Sequence, residues 1–126
     1  MNISLNLNTV ILFVQNVDRL KLFYVDILKL RVVEEIRSEW LLLQAGNCRL
    51  GLHKIGEQYL HNNKEFKFHN NTKIVFEIDE DIKMIREYLL SEKVLMKEIK
   101  TFDNHHLLCD GEDPEGNVFQ LKQKRN

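Results

Sequence analysis

The sequence predicts an α+β fold made of two βαβββ modules, and three observations carry that prediction. A strand-like run leading directly into a helical stretch occurs twice, as Thr9–Val14 (TVILFV) and Lys73–Ile78 (KIVFEI), set 64 positions apart. After each helical stretch come runs with the period-two alternation of strands. The chain then closes on Asp113, Pro114, Glu115, Gly116 and Asn117, where Asp first, Pro second and Gly fourth fit a type I turn. Behind that turn Phe119 and Leu121 alternate with Val118 and Gln120.

Taken in order, the first strand ends before Asn16, a residue whose side chain caps helices. Val17, Leu20, Phe23, Tyr24, Ile27 and Leu28 follow at spacings of three and four, which predicts a helix with one apolar face. Residues 29–36 read as the second strand. The next two form a hairpin about Ala45, Gly46 and Asn47. That register sets Trp40 opposite His53, Leu42 opposite Gly51 and Gln44 opposite Arg49. Residues 57–71 contain two Asn pairs, few aliphatics and no period. They divide module one (7–56) from module two (72–124), as a linker or as a lid. In the second module Asp79, Glu80 and Asp81 place negative charge where a helix begins. Ile82, Ile85 and Leu89, with Tyr88 beside them, supply its apolar stripe. Residues 93–100 and 105–110 complete the copy as strands before the closing hairpin.

With 126 residues, 44% of them hydrophobic, each half alone is marginal, so the halves are expected to bury their sheets as one domain. No apolar run approaches the roughly 20 residues that span a bilayer. The start lacks the basic flank and cleavage site of a signal peptide, and a cytoplasmic protein is expected. A formal net charge of -1 gives no global attraction to nucleic acid or to an anionic membrane, and neither is expected as a partner. The basic end, KQKRN, reads as a solvated tail. Cys48 and Cys109 lie outside any CxxC spacing and read as reduced, packed thiols.

The closing DPEGNVFQL and the first module's FVQNVDRLKLFYVDILKLRVV resemble the vicinal-oxygen-chelate superfamily of glyoxalases, bleomycin-resistance proteins and extradiol dioxygenases. There the final motif reads roughly DPxGNxxEL. The resemblance covers nearly the whole chain and implies paired modules that curl into a cup with helices outside. It also implies a homodimer. One departure is the exit of the first helix, where Lys29 and Leu30 stand in place of the family's common Gly-Leu.

In the family's metal-dependent members, His, Glu or Gln ligands stand at the start of each module's first strand and near the middle of its last. Carried over by position, those places fall on Thr9, on Gly51 (or on Leu50 if the hairpin register slips by one), on Lys73 and on Gln120. Such a set brings a positive charge and only one side chain able to coordinate, so no metal and no other cofactor is expected. Strand parity assigns Phe13, Trp40, Arg49, His53, Glu77, His106 and Gln120 to the cup as ligand-binding residues, with Trp40 as a stacking surface for a flat or cationic molecule. The function expected is small-molecule binding of the bleomycin-resistance kind. The alternative is a glyoxalase-like, dioxygenase-like or thiol-transferase-like enzyme. It would work through a metal displaced onto His53, Glu77, His106 and Asp110, or through Glu77 as general base beside Lys73.

Overall fold

A computed structural model describes residues 2–4, 6–56 and 72–125. The expected linker or lid at 57–71 lies outside the described residues. The chain divides into two compact units, Met1–Lys64 and Glu65–Asn126, and each carries one mixed sheet with one helical segment. Among the described residues, no helix is long and apolar enough to cross a membrane.

In the first unit the elements are β1 (Thr9–Val14), α1 (Val17–Lys21), a π-helical continuation (Leu22–Ile27), β2 (Arg31–Ile36), β3 (Trp40–Ala45) and β4 (Cys48–Lys54). The sheet order is β1-β4-β3-β2, with β1 parallel to β4 and the other pairs antiparallel. Alternation explains the core. Leu12, Val14, Leu41, Leu43, Leu50 and Leu52 all point to the helix side and are buried with Val17, Leu20, Phe23 and Tyr24. The expected cap is present, since Asn16 Oδ1 accepts from Arg19 N at 3.0 Å.

The regular α-helix expected over residues 17–28 is not what forms. From Leu22 the turn widens, and Leu28 N bonds the carbonyl five residues back, on Phe23, at 2.9 Å. The adjacent aromatics Phe23 and Tyr24 are both buried and meet edge-on at 4.8 Å and 87°. A 3.6-residue turn separates neighbours by about 100°, and the wider turn is the backbone's accommodation to two consecutive inward rings.

The second unit repeats the plan with β5 (Lys73–Ile78), α2 (Ile82–Ser91), β6 (Leu95–Met96), β7 (Lys100–Phe102), β8 (His106–Glu112) and β9 (Val118–Lys124). Its order is β5-β9-β8, with β5 parallel to β9 and with β6 and β7 both paired to the far side of β8. The one strand expected over 93–100 is therefore broken in two. At the break the Lys97 carbonyl leaves the ladder to accept from Arg86 Nε (2.9 Å) and Cys109 Sγ (3.2 Å). The basic end is not a free tail either. Lys122 to Lys124 belong to β9, and Gln123 Oε1 accepts from Ile82 N at 2.7 Å, which ties β9 to the start of α2. Asp81 caps that helix through Lys83 N at 2.9 Å.

The closing turn has the expected type I bond, Gly116 N to Asp113 O at 2.9 Å. Asp113 also accepts from the backbone of Glu115 and Asn117 and from the Asn117 side chain, at 2.8 to 2.9 Å. Asp113, Glu115 and Asn117 are all buried, so this turn is an interior structure held by one carboxylate.

Candidate functional site

The face of the first sheet opposite the helix carries the side chains that strand parity assigned to it. The register is as read from the sequence: Trp40 pairs with His53, Leu42 with Gly51 and Gln44 with Arg49. On the parallel side Phe13 pairs with His53, Ile11 with Gly51 and Thr9 with Arg49. Phe13, His53 and Trp40 thus fall in one row across three strands. The His53 ring centroid lies 5.4 Å from Phe13 and 6.0 Å from Trp40. Phe13 is 57% exposed, a large aromatic surface held open to solvent on a rigid strand.

Two features sharpen this cluster. Trp40 Nε1 donates to Glu34 Oε1 at 3.2 Å, and the opposite edge of the indole extends over Gly51. A Cβ at position 51 would lie 2.6 Å from Trp40 Cη2 and 3.1 Å from Ile11 Cγ1. Only a residue without a side chain lets the ring lie there, and beneath it Leu42 is buried although it belongs to the open face. His53 Nδ1 lies 2.7 Å from the Lys54 carbonyl. A carbonyl can only accept, so Nδ1 is the donor in this bond, which fixes the orientation of the ring.

Glu34 was missed in the sequence because simple alternation from Arg31 puts it on the helix side. A bulge between Val32 and Glu34 shifts the parity, so that Glu34 pairs with Leu42 on the open face and Glu35 with Leu41 on the other. The one available signal was Lys21, which bonds Glu35 at 2.9 Å from the helix side and so fixes which Glu faces which way. Arg49 shares the open face but is turned aside, with Nε donating to Gln44 Oε1 at 3.2 Å.

In the second unit the equivalent face holds Lys73, Val75 and Glu77 on β5, Val118, Gln120 and Lys122 on β9, and His106, Leu108, Asp110 and Glu112 on β8. Lys73, read from the sequence as the neighbour of Glu77, pairs elsewhere. Lys73 reaches across β9 to Asp110 Oδ2 at 2.8 Å, and Gln120 Nε2 donates to Asp110 Oδ1 at 2.9 Å. Residues four apart on a strand stand about 13 Å apart at Cα, and the lysine finds the carboxylate across the sheet instead. Partial burial opposes ionisation of Asp110, but the Lys73 and Gln120 hydrogen bonds and the lysine charges outweigh it and hold its carboxyl below the usual range. Asp110 also forms part of the wall of a cavity of about 380 Å³ together with Met96 and Val118. Glu77 is exposed on β5. His106 sits at the far end of β8, its Nδ1 3.2 Å from Asp103 Oδ2. The thiols agree with the reading from spacing: both are free, and burial pushes the Cys109 thiol up, with Arg86 opposing.

The residues at the four family metal places do not fit a divalent cation. In the first unit Thr9 Oγ1 is bonded to Asn8 Oδ1 at 2.6 Å, and Gly51 offers no ligand atom and is covered by the indole. In the second unit one place holds an ammonium and the other an amide, both bound to Asp110. Among the described residues, no three His, Cys, Asp or Glu side chains gather as a metal site requires.

No protein-family model matches the chain, and a comparison with curated proteins likewise finds no match. Solved structures do match. Lactoylglutathione lyase from Agrobacterium tumefaciens is similar over 94% of this chain and 92% of its own, with a TM-score of 0.72 and 14% identity. TnmS3, an antibiotic binding protein from Streptomyces sp. CB03234, is similar over 99% of both chains, with a TM-score of 0.72 and 18% identity. A protein from the mobile metagenome of V. Pseudocholerae covers 100% of this chain, and 98% of its own is covered, at a TM-score of 0.73 and 22% identity. Two mixed sheets, each built from a strand, a helix and three strand segments or more, together with these matches, give the chain an α+β fold shared with the lactoylglutathione lyase and the antibiotic binding protein.

Proposed function

We propose that this protein binds a small, flat organic molecule non-covalently on the open sheet face of its first unit. The observation that carries the reading is the row Phe13, His53 and Trp40, three rings held within 6.0 Å of their neighbours on rigid strands with a carboxylate, Glu34, at the indole edge. Rigid rings lose little entropy when a planar ligand stacks on them. A positive charge on the ligand is favoured by both the ring faces and Glu34. The absence of a fitting donor set at the family's metal places supports binding over metal-assisted chemistry. The antibiotic binding protein TnmS3, of the same fold, offers a precedent for a function that is binding. Arg49, on the same face, is proposed as a further contact of this ligand, and Glu77, His106 and Gln120 are proposed as ligand-binding residues of the second unit's own open face.

The test is a fluorescence titration with a panel of planar aromatic amines and neutral polycyclic compounds. Trp40 is the single tryptophan, so any change reports this site. Saturable quenching by at least one compound, weakened tenfold or more by Phe13→Ala, is the expected result. Quenching that stays linear across the whole panel, or that is indifferent to Phe13→Ala, would remove the proposal.

A further inference from the structure

The second unit carries a cation place that is already filled by the chain itself. Asp110 stands on β8 directly opposite Gln120 on β9, and Lys73 is in register with Val118, one pleat away on the same face. Each oxygen of the Asp110 carboxylate receives one of these neighbours, Oδ2 the ammonium at 2.8 Å and Oδ1 the amide at 2.9 Å. The Asp110 side chain is 24% exposed. A partly buried carboxylate is stabilised by a compensating positive charge and by donors to its oxygens, and here Lys73 supplies the charge and Gln120 a second donor.

We infer that Lys73 is the resident cation of this cluster. Its tethered ammonium neutralises Asp110, whose other oxygen holds Gln120, and so occupies the place a cation would take beside this carboxylate. Two consequences follow from the geometry. The cluster has no affinity for a divalent ion while the lysine is present, because a metal would have to displace a bonded ammonium and then share the place with its charge. Conversely, reversing the charge at position 73 removes the occupant and adds a carboxylate. Two carboxylates and the Gln120 amide, whose oxygen comes forward when the amide turns over, then converge on one point.

The experiment is isothermal titration of Mn²⁺ and Ni²⁺ into the full-length wild-type chain, Lys73→Glu and the double variant Lys73→Glu/Asp110→Asn, each checked for folding by circular dichroism. Heat of dilution only is expected for the wild type. Lys73→Glu is expected to take one ion per chain, with affinity at least tenfold higher than that of the double variant. A stoichiometric ion on the wild type, lost in Asp110→Asn, would overturn the inference. So would a folded Lys73→Glu variant that binds no better than wild type. Should that variant fail to fold, Lys73→Met removes the ammonium without adding charge. Its melting temperature is then expected to rise with Mn²⁺ at constant ionic strength while that of the wild type does not, and equal responses would overturn the inference equally.

Discussion

The indole of Trp40 lies over Gly51, so close that a methyl group at position 51 would stand 2.6 Å from its Cη2 atom. This one relationship seats the stacking surface and leaves no side chain at position 51. Gly51→Ala is therefore expected to push the indole off the sheet and weaken its bond to Glu34. Stability should fall by about 1–3 kcal/mol, the usual cost of overpacking. Trp40 emission should move to the red as the ring enters water. A urea titration read by circular dichroism and by fluorescence measures both, and an unshifted emission maximum would show that the ring is seated by something else.

Lys29 and Lys93 occupy equivalent places. Each ends its module's helix in a left-handed conformation, at φ 65° and 64°, and Lys93 follows Lys29 by the same 64 positions that separate Thr9 from Lys73. A left-handed residue with a Cβ costs about 1–2 kcal/mol, and glycine returns somewhat less than that because its unfolded chain is freer. Lys29→Gly and Lys93→Gly should each raise stability by up to about 1 kcal/mol, read as a higher denaturant midpoint at constant slope. Lys29→Ala, which keeps the Cβ, should leave the midpoint nearly unchanged.

Much of this was legible in the sequence, for reasons that differ by element. Alternation fixed the β3–β4 register to the residue because Gly46 and Asn47 admit only a tight turn, and a slip by one would have turned Leu41, Leu43, Leu50 and Leu52 to solvent. The pairing of Trp40 with His53 followed from that register, and parity put Phe13 on the same face, but the parallel β1–β4 register that sets Phe13 beside His53 was not legible. Glu34 did not follow, since a bulge is one uncounted residue that no alternation rule reveals. The partner of Lys73 was equally hidden. Its place on β5 was known, but a lysine can reach several strand positions, and only the β5-β9-β8 order brings Asp110 within 2.8 Å. The π turn at Leu22–Ile27 left no trace in the spacing, because its apolar positions fit a regular helix as well.

Asp113 organises the closing turn from inside, accepting two backbone N–H groups and the Asn117 amide while only 4% exposed. Asp113→Ala would leave those buried donors without an acceptor, at about 1–3 kcal/mol for each one that water cannot reach. A loss of at least about 3 kcal/mol is expected, with a smaller loss for Asp113→Asn, which keeps one acceptor oxygen. Chemical denaturation ranks the three proteins, and equal stability of the two variants would show that the charge, not the acceptor count, holds the turn.

The Lys73 to Asp110 pair sets a pH dependence whose sign follows from the direction of the shift. The Asp110 carboxyl is below its ordinary range in the folded chain, so the unfolded chain takes up the proton first. The stabilisation is present above about pH 4, the ordinary aspartate pKa, and is lost as pH falls through the lower folded value. Wild type should exceed Asp110→Asn in stability at pH 6, and the gap should narrow steadily on acidification. Asp103, also below its ordinary range through its bond from the His105 backbone, titrates in the same window and is common to both proteins, so the difference between them isolates Asp110. Lys73→Met weakens the dependence. With the ammonium gone, only the Gln120 bond and the Lys97 charge still oppose the effect of burial on Asp110, so the variant should lose less stability on acidification than wild type. Urea midpoints for the three proteins between about pH 3 and pH 6 decide the matter, and parallel profiles for wild type and Lys73→Met would show that the ammonium does not govern this carboxylate.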